Sequence, residues 1–434
     1  MKKTPLEKWI ANKTGGGQLE LQKLREYQLE KLRKTLTYAQ NNSRFYKALL
    51  SEFDPDAIKD MADVARLPFT VPGDIAECPN DFLCVSPRDI GRIVTLSTSG
   101  TTGKPKRVFF TEDDQELTVD FFHHGMMTLA DKSDRVMICM PGSTEGSVGD
   151  LLQKGLRRFG CESVVYGPIK DETHALDTII SENITCVVGI PSQIHTLARL
   201  SENAERPPVL KSVLLSADYV PTAAASAIEK AWGARVYGHY GMTETGLGGG
   251  VACDAQCGYH LREADLLFEI IDAASGLPVP DGEYGEVVFS TLTRRGMPLV
   301  RYRTGDRARF LTEPCPCGTV LRRLGRVTNR IAEPLTLTDG STLSVTQLDE
   351  AIFKEPSVST YSAGLSTVNS RDNLHIIVRP AGRSVDLDAV SQVLRTQLSH
   401  LFNDERLLLE IEEGDVAYYT TGTLKRKITD LRNY

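Results

Sequence analysis

Hydroxyl side chains, glycines and cations are concentrated in residues 97–106, which read Ser-Thr-Ser-Gly-Thr-Thr-Gly-Lys-Pro-Lys. Each hydroxyl can donate a hydrogen bond to a phosphate oxygen, and Gly100 and Gly103 let backbone N–H groups turn inward without a Cβ clash. Pro105 follows Lys104 and disfavours the helix that continues a Walker A loop, which argues against an ordinary kinase or GTPase. The stretch therefore predicts a loop that binds the polyphosphate of a nucleotide triphosphate.

Three further segments carry side chains that suit the same nucleotide. Residues 239–246 offer an aromatic ring that can stack on adenine, a threonine hydroxyl for the α-phosphate and a carboxylate for Mg²⁺. Residues 216–219 can form the other wall of a base pocket, and residues 302–306 end in a carboxylate that can accept hydrogen bonds from two ribose hydroxyls. Each segment alone is a weak signal, because Gly-Asp after a strand is usually a turn. Together with the loop, they predict one nucleotide site.

A second group of residues is typical of a metal site. Cys253, Cys257 and His260 lie close together in the sequence, and Cys315 and Cys317 flank a proline in a later segment. Two thiolates one residue apart, with a thiolate and an imidazole from elsewhere, complete a tetrahedral shell for Zn²⁺. Cys253 with Cys257 also gives a plausible pair, so an all-cysteine shell stays open, as do reduced core cysteines with a surface histidine. A shell filled by protein would make the zinc structural.

The residues between the motifs indicate the elements that position them. Strand-like residues 92–96 and 108–111 flank the first loop and favour a hairpin over an unstructured polar loop. Apolar bursts predict buried strands at 136–140, 163–166, 184–190 and 212–215. Residues 18–50 predict an entry helix. Further helix-like stretches alternate with the strands at 150–158, 175–182, 193–203 and 222–232. This alternation predicts an α/β fold with a largely parallel sheet.

The pattern changes twice toward the C-terminus. Short strand candidates at 267–272, 285–290 and 299–302, with turn clusters between them, predict an antiparallel, barrel-like part. After Arg326 a hairpin, two helices and two strands predict a separate small α+β domain. We therefore expect a large N-terminal domain over residues 1–326 and a small C-terminal domain over residues 327–434.

Composition excludes several classes of function. The 434 residues carry 50 Lys and Arg against 57 Asp and Glu, a net charge of −7, which gives no polybasic surface for nucleic acid or an anionic membrane. Residues 1–13 lack the apolar run of a signal peptide, and no window reaches the roughly 18 apolar residues of a membrane span. We therefore expect a cytoplasmic protein that binds neither nucleic acid nor a membrane. The 9 cysteines, an odd number, fit reduced thiols and a metal site better than a disulfide framework.

The ordered motifs resemble those of the adenylate-forming superfamily of acyl-CoA synthetases. They are residues 98–106, 240–244, 302–306 and 324–326, and the likeness covers nearly the whole chain. Within the superfamily, residues 295–306 and the cysteine pattern resemble the phenylacetate-CoA ligase branch. The resemblance implies that a carboxylate attacks the α-phosphorus of MgATP to give acyl-AMP and pyrophosphate, after which coenzyme A takes the acyl group. It also implies a mobile C-terminal domain that turns about a hinge between the two steps.

The resemblance also implies roles for residues of this chain. Thr243 holds the α-phosphate, and Glu244 holds Mg²⁺. The remaining ATP-binding residues are Ser99, Gly100, Thr101, Thr102, Gly103 and Lys104 for the β- and γ-phosphates, Asp306 and Arg326 for the ribose, and Tyr240, Ser216, Ala217 and Asp218 for the adenine, with Gly241 and Met242 beside them. For the structural zinc, the resemblance favours Cys253, His260, Cys315 and Cys317.

Two positions depart from the family pattern. The family's adenylation lysine commonly follows a glycine, whereas here Thr423 stands after Gly422, and a hydroxyl cannot neutralise charge on the phosphates. Lys425 lies two residues further along, on the same side of an extended segment, and we assign the catalytic role to it. At the hinge, where relatives carry an acidic residue, this chain has Thr328 and Asn329.

The acyl pocket is the part least readable from sequence. Candidates from the resemblance are residues 123–125, 141–149 and 246–250, whose glycines would suit a flat aryl or a branched acid, although a connection without a pocket role is the alternative. The leading function is an AMP-forming ligase that joins a small carboxylic acid to coenzyme A with ATP and Mg²⁺. Transfer of AMP to an acceptor other than coenzyme A and a catalytically weak nucleotide-binding protein stay as alternatives. A homodimer stays open.

Overall fold

The structure is a computed structural model that describes residues 1–96, 104–202, 204–330, 334–402, 407–416 and 427–432, without the side chains of 329 and 330. In these ranges the α-helices are α1 (Pro5–Lys13), α2 (Leu21–Asn42), α3 (Arg44–Leu49), α4 (Met61–Val64), α5 (Pro72–Glu77), α6 (Glu112–Met126), α7 (Val148–Arg157), α8 (Glu172–Ser181), α9 (Pro191–Ser201), α10 (Thr222–Trp232), α11 (Val345–Ile352), α12 (Leu387–Gln397) and α13 (Ser399–Phe402). Short 3₁₀ turns lie at Pro55–Ala57, Pro79–Phe82, Pro87–Asp89 and Thr243–Thr245. No helix of the described ranges has the length and apolarity needed to cross a bilayer.

The strands of the described ranges are short. They are β1 (Arg92–Leu96), β2 (Lys106–Phe110), β3 (Arg135–Ile138), β4 (Glu162–Val165), β5 (Cys186–Gly189), β6 (Ser212–Leu215), β7 (Arg235–Tyr240), β8 (Gly250–Val251), β9 (Tyr259–Leu261), β10 (Leu266–Ile271), β11 (Gly285–Thr291), β12 (Tyr302–Ala308), β13 (Phe310–Leu311), β14 (Arg323–Leu324), β15 (Asn329–Arg330), β16 (Leu335–Thr336), β17 (Thr342–Leu343), β18 (Val358–Val368), β19 (Arg371–Pro380), β20 (Leu407–Glu413) and β21 (Ile428–Asp430). They belong to two compact units through which the chain passes more than once.

The first unit comprises residues 1–133, 141–162 and 238–327. Its hairpin β1–β2 pairs Leu96 with Lys106, which brings together the two ends of the predicted phosphate loop. Strands β10, β11 and β12 form an antiparallel sheet over an apolar core. The end of β7 pairs with β8, and β9, β14 and β13 follow, all antiparallel. Strands β10 to β12 are the antiparallel part that the sequence predicted from residue 267, whereas β8 and β9 precede it and were not predicted.

Two local details in this unit differ from the sequence prediction. The entry helix predicted over 18–50 is divided at Ser43, because the Ser43 hydroxyl accepts a hydrogen bond from Tyr46 N at 3.2 Å and starts a new helix. The strand predicted at 299–302 begins instead at Tyr302, because Arg301 has a φ of 44°, in the left-handed region. The buried Arg301 guanidinium binds both oxygens of Glu269, at 3.1 and 3.0 Å, which stabilises this conformation.

The second unit comprises residues 134–140, 163–237 and 328–434. Strands β3, β5 and β6 are parallel, with β4 and the start of β7 at the two sides. Helices α8, α9 and α10 alternate with these strands along the chain, and Ile179, Ile194 and Trp232 from them belong to the same apolar core as the sheet. The strands read as continuous apolar runs because parallel strands are covered on both faces.

The C-terminal residues of this unit form an α+β layer. Their sheet has the order β20-β19-β18-β21, and its core includes residues of α11 and α12. Helices α9 and α10 contact this layer directly: His195 Nδ1 lies 3.0 Å from Ser359 O, and Glu350 Oε1 accepts hydrogen bonds from Tyr219 Oη at 2.7 Å and Thr222 N at 2.8 Å. The predicted α/β fold with a small C-terminal domain is thus confirmed, whereas the division at residues 326 and 327 stays a prediction.

Candidate active site

The predicted phosphate loop is visible at its edges. Ser99, Gly100, Thr101, Thr102 and Gly103 lie outside the described residues. Lys104 is described, and its ammonium forms a solvent-exposed ion pair with Glu77 at 3.0 Å. At the other edge, the ammonium of Lys106 contacts the buried carboxylate of Glu244, in the segment that follows β7.

A tight turn follows Tyr240 and presents Glu244. Residues Thr243–Thr245 form a 3₁₀ turn that ends at Gly246, whose φ is +75°. Thr245 Oγ1 accepts a hydrogen bond from Met242 N at 3.1 Å, which closes the turn on itself. Gly241 is required because a Cβ there would lie 2.5 Å from Leu247 O. This backbone fixes the direction of the Glu244 side chain.

The Glu244 carboxylate is only 4% exposed and is held by two donors. Lys106 Nζ lies 2.5 Å and Tyr302 Oη 3.0 Å from its Oε1, and Lys106 Nζ lies 3.3 Å from the Tyr302 hydroxyl. Burial by itself would raise the pKa of Glu244, but the charge and hydrogen bonds of Lys106 outweigh it, so the pKa is lowered. The carboxylate is therefore ionised at neutral pH, as a ligand for Mg²⁺ must be.

Asp306, on the same strand as Tyr302, contacts Tyr240. Tyr240 Oη donates a hydrogen bond to Asp306 Oδ2 at 3.1 Å, and both residues are buried. Gly305, with a φ of +74°, lies inside β12 where its pairing with β11 shifts register, and Asp306 follows it on the same strand. The segments that end in Glu244 and Asp306 therefore converge in the first unit, as one nucleotide site requires. Arg326 lies in the same unit on an exposed stretch after β14.

The predicted adenine wall lies in the second unit. It directly follows β6, and Ser216 N donates to Gly189 O at 3.0 Å. Ala217 has a φ of 72°, a left-handed conformation that costs an L-residue about 1–2 kcal/mol. Asp218 Oδ1 accepts a hydrogen bond from Tyr219 N at 2.9 Å. Strain of this kind is typical of segments that contact a ligand. At the C-terminus, Lys425 and Thr423 lie outside the described residues.

The cysteine and histidine residues predicted to bind zinc come together in the first unit. Cys253 Sγ lies 3.6 Å from Cys315 Sγ, and Cys317 Sγ lies 3.6 Å from His260 Nε2. All four ligand atoms lie within 4.8 Å of one another, and all four residues are buried. The edges of a tetrahedral zinc shell built from ~2.3 Å Zn–S and ~2.0 Å Zn–N bonds measure about 3.5–3.8 Å, so these separations fit. Cys257 instead contacts Arg323, with Sγ 2.7 Å from Nη1.

The rings near the candidate acyl pocket form one connected aromatic group around helix α6. His123 stacks on Phe159, with ring centroids 5.7 Å apart, and His124 stacks on Trp9 at 5.6 Å. Phe121 and Phe122, from the same helix α6, lie 6.2 and 6.3 Å from the ring of His239, and Phe121 also lies 6.1 Å from Trp9. Burial lowers the pKa of His239 to about 4, so its imidazole is neutral.

Sequence reasoning assigned no individual role to Lys106, Tyr302 and His239. The structure places the first two against Glu244 and the third against Phe121 and Phe122. The first two belong to the quoted motifs, but their contact with Glu244 depends on strands from distant parts of the chain. The position of His239, one residue before Tyr240, is the signal that could have identified it as a neighbour of the site.

Known proteins share both the motifs and the fold. A model of the AMP-binding enzyme family matches residues 19–293. The phenylacetate-coenzyme A ligase of Aromatoleum evansii is 30% identical over 77% of this chain and 77% of its own length. The corresponding ligase of Escherichia coli is 26% identical over 94% of this chain and 95% of its own length. A crystal structure of 2-hydroxyisobutyryl-CoA ligase in the postadenylation state has a TM-score of 0.80 at 21% identity, covering 94% of this chain and 90% of that one.

The chain therefore belongs to the AMP-binding enzymes. Within them it is an AMP-forming acid–CoA ligase of the phenylacetate-CoA ligase-like branch, as the motifs predicted. The structural likeness to 2-hydroxyisobutyryl-CoA ligase, at 21% identity, shows that the two proteins share a fold.

Proposed function

We propose that this ligase converts an aryl or small branched carboxylic acid to its acyl-adenylate with MgATP and then transfers the acyl group to coenzyme A. The observation that carries the proposal is the ionised, buried Glu244 beside Lys106, in the same unit as the Tyr240–Asp306 pair. A carboxylate kept charged in a buried place suits a cation that accompanies a polyphosphate.

The residues of this chain act by positioning and by neutralising charge. Glu244 would hold Mg²⁺, which offsets the negative charge of the phosphates as pyrophosphate leaves. Thr243 donates a hydrogen bond to the α-phosphate, and Asp306 accepts hydrogen bonds from the ribose hydroxyls. Lys425 donates to the α-phosphate when the carboxylate attacks, because the charge that develops there needs a cation. Such preorganised charges supply most of the catalysis in phosphoryl-type displacements.

The rings next to the site support an acid with an uncharged body. Phe121, Phe122 and a neutral His239 present no charge. Gly248 approaches Phe121 so closely that a Cβ there would lie 2.5 Å from the ring carbon Cδ1. An aryl or branched group gains from contact with such a surface.

The cysteine–histidine cluster supports a structural zinc ion. Cys253, His260, Cys315 and Cys317 would fill all four positions of a tetrahedral shell and leave none for substrate. Burial raises the pKa of the Cys253 and Cys315 thiols, and a bound divalent cation would reverse that shift because it favours the thiolate. A cytoplasmic location is a further prediction of the proposal, and a homodimer stays open.

A panel of acids tests the function. Aryl, branched, straight-chain and dicarboxylic acids are each incubated with MgATP, and acid-dependent exchange of labelled pyrophosphate into ATP is measured. We expect exchange with aryl or branched acids, and free AMP with a thioester once coenzyme A is added. An AMP adduct of the acceptor would instead identify an adenylyl transferase, and ATP binding without exchange on any acid would identify a nucleotide-binding protein.

A further inference from the structure

Tyr302 binds the same oxygen of Glu244 that Lys106 binds. The Tyr302 hydroxyl lies 3.0 Å from Oε1 and the Lys106 ammonium 2.5 Å from it, and in the described part of the chain no side chain is seen to donate to Oε2. The carboxylate also accepts a hydrogen bond from the backbone of Glu244 itself. We propose that Tyr302 is a positioning residue: it fixes the rotamer of Glu244 so that Oε2 is left for the divalent cation of the metal–nucleotide substrate. The proposal rests on the function proposed above.

The backbone of Tyr302 is held on both sides, which makes its hydroxyl a fixed donor. Tyr302 pairs with Phe289 on β11, and it forms a bridge with Thr70 on the other side. Its ring is 1% exposed and packs on the Phe289 ring at a centroid distance of 5.5 Å. Residues that ligate metals generally need such support, because an unsupported side chain loses the geometry that the cation requires.

Lys106 cannot do this positioning alone. Its ammonium sits on a flexible four-carbon chain at the edge of the predicted phosphate loop, so arriving phosphates compete with Glu244 for it. A cation so close to the carboxylate also opposes the binding of a second cation. The Tyr302 hydroxyl is neutral, so it neither attracts the phosphates away from Glu244 nor repels a second cation. The carboxylate therefore keeps its full charge for the metal while the tyrosine holds its orientation.

Binding of Mn²⁺-ATP tests the proposal without turnover. The affinity for Mn²⁺-ATP is measured by isothermal titration calorimetry at saturating Mn²⁺ for the full-length wild type and for Tyr302→Phe. We expect about tenfold weaker binding of Mn²⁺-ATP by Tyr302→Phe, the size of a lost hydrogen bond to a charged group. Binding of ATP in the presence of EDTA, followed by calorimetry, should change less than twofold, since the hydroxyl acts on the metal ligand.

Tyr46→Phe is the matched control. Tyr46 is likewise fully buried in the first unit, and its hydroxyl bonds Thr70 Oγ1 at 3.0 Å and Val300 N at 2.9 Å, with no contact to Glu244 recorded in the described ranges. Its loss should lower the melting temperature and leave Mn²⁺-ATP affinity unchanged. In a Glu244→Gln background, Tyr302→Phe should add less than a twofold effect, because the two residues act through one bond.

The proposal is overturned if Tyr302→Phe binds Mn²⁺-ATP like the wild type, if Tyr46→Phe shows the same loss, or if the wild type binds no Mn²⁺-ATP. A second measurement needs no variant: in a crystal of the wild type with MgATP, Tyr302 should remain bonded to Glu244 Oε1, and a separation of the two side chains overturns the proposal. Absence of acid-dependent exchange would instead contradict the proposed function, so the two failures are distinguishable.

Discussion

The nucleotide segments and the cysteine–histidine cluster solve the same electrostatic problem in opposite ways. Glu244 is buried together with a cation of its own, Lys106, so its pKa is lowered. Among the described residues, no cation is recorded beside the buried thiols of Cys253 and Cys315, and burial raises their pKa. A site that carries its own counter-charge can form before its ligand arrives, whereas a site without one depends on the ligand. The first suits a substrate that comes and goes, and the second suits a resident metal.

The largest expected effect comes from removing the charge of Glu244. Glu244→Gln keeps the size of the side chain, and we expect kcat/KM for Mg²⁺-dependent acyl-adenylate formation to fall by about 10²–10³-fold with the fold intact. The measurement is pyrophosphate exchange together with circular dichroism. Glu116→Gln, which breaks an exposed ion pair with Arg158, is the control and should retain full exchange. Wild-type exchange rates in Glu244→Gln would contradict the role of the Glu244 charge in the reaction.

The second effect concerns Lys425, the lysine to which we assign the neutralisation of charge on the α-phosphate. Lys425→Ala should slow acyl-adenylate formation by about 10²-fold and leave thioester formation from added acyl-AMP unchanged. Stopped assays of the two half-reactions separate these steps, with Lys427→Ala as the neighbouring control. Wild-type exchange rates in Lys425→Ala would refute the choice of this lysine.

The third effect tests the dependence of the cysteine–histidine cluster on its metal. Chelation with verified zinc loss, or Cys317→Ser, should lower Tm by about 5–10 °C, because the metal binds the folded state only. Cys257→Ser should retain zinc, since Cys257 contacts Arg323 rather than the four clustered residues. Scanning calorimetry with metal analysis measures both. An unchanged Tm after zinc removal would contradict a structural role.

The smallest effect comes from a buried carboxylate that lacks the counter-charge of Glu244. Burial raises the pKa of Glu263 from 4.5 to about 7, and Arg322 offsets this only in part. The folded state therefore binds the Glu263 proton more tightly than the unfolded state, so this group's contribution is complete below pH ~4.5 and is lost as pH rises through 7. Glu263→Gln should remove that loss and raise the free energy of unfolding at pH 8 by about 1–3 kcal/mol. Urea denaturation at pH 5 and pH 8 checks this, and equal slopes with pH in both proteins would contradict it.

The sequence was sufficient to predict what depends on contiguous motifs. The turn that presents Glu244 and the strand that carries Asp306 are each encoded within a few residues, because glycines at 241 and 305 allow the required backbone. The alternating apolar bursts predicted the parallel strands of the second unit, since strands covered on both faces must be apolar throughout.

What could not be predicted depends on side chains that meet across the fold. Lys106 and Tyr302 reach Glu244 only because β2, β12 and the turn after β7 converge, and no spacing in the sequence records that meeting. The start of β12 was placed too early because the left-handed backbone of Arg301 follows from its ion pair with Glu269, a residue on β10. The residues by themselves left His260 and Cys257 both open, and it was the family resemblance that favoured His260, which the structure places in the cluster.

One contact of the second unit links its C-terminal layer to the strained loop after β6. Glu350, on α11, receives hydrogen bonds from Tyr219 and from the first residue of α10, two and five positions beyond Ala217. If α11 shifts away from α10, both bonds break at once and the loop loses an anchor next to its unfavourable alanine. The C-terminal layer therefore anchors the segment that carries the strained Ala217.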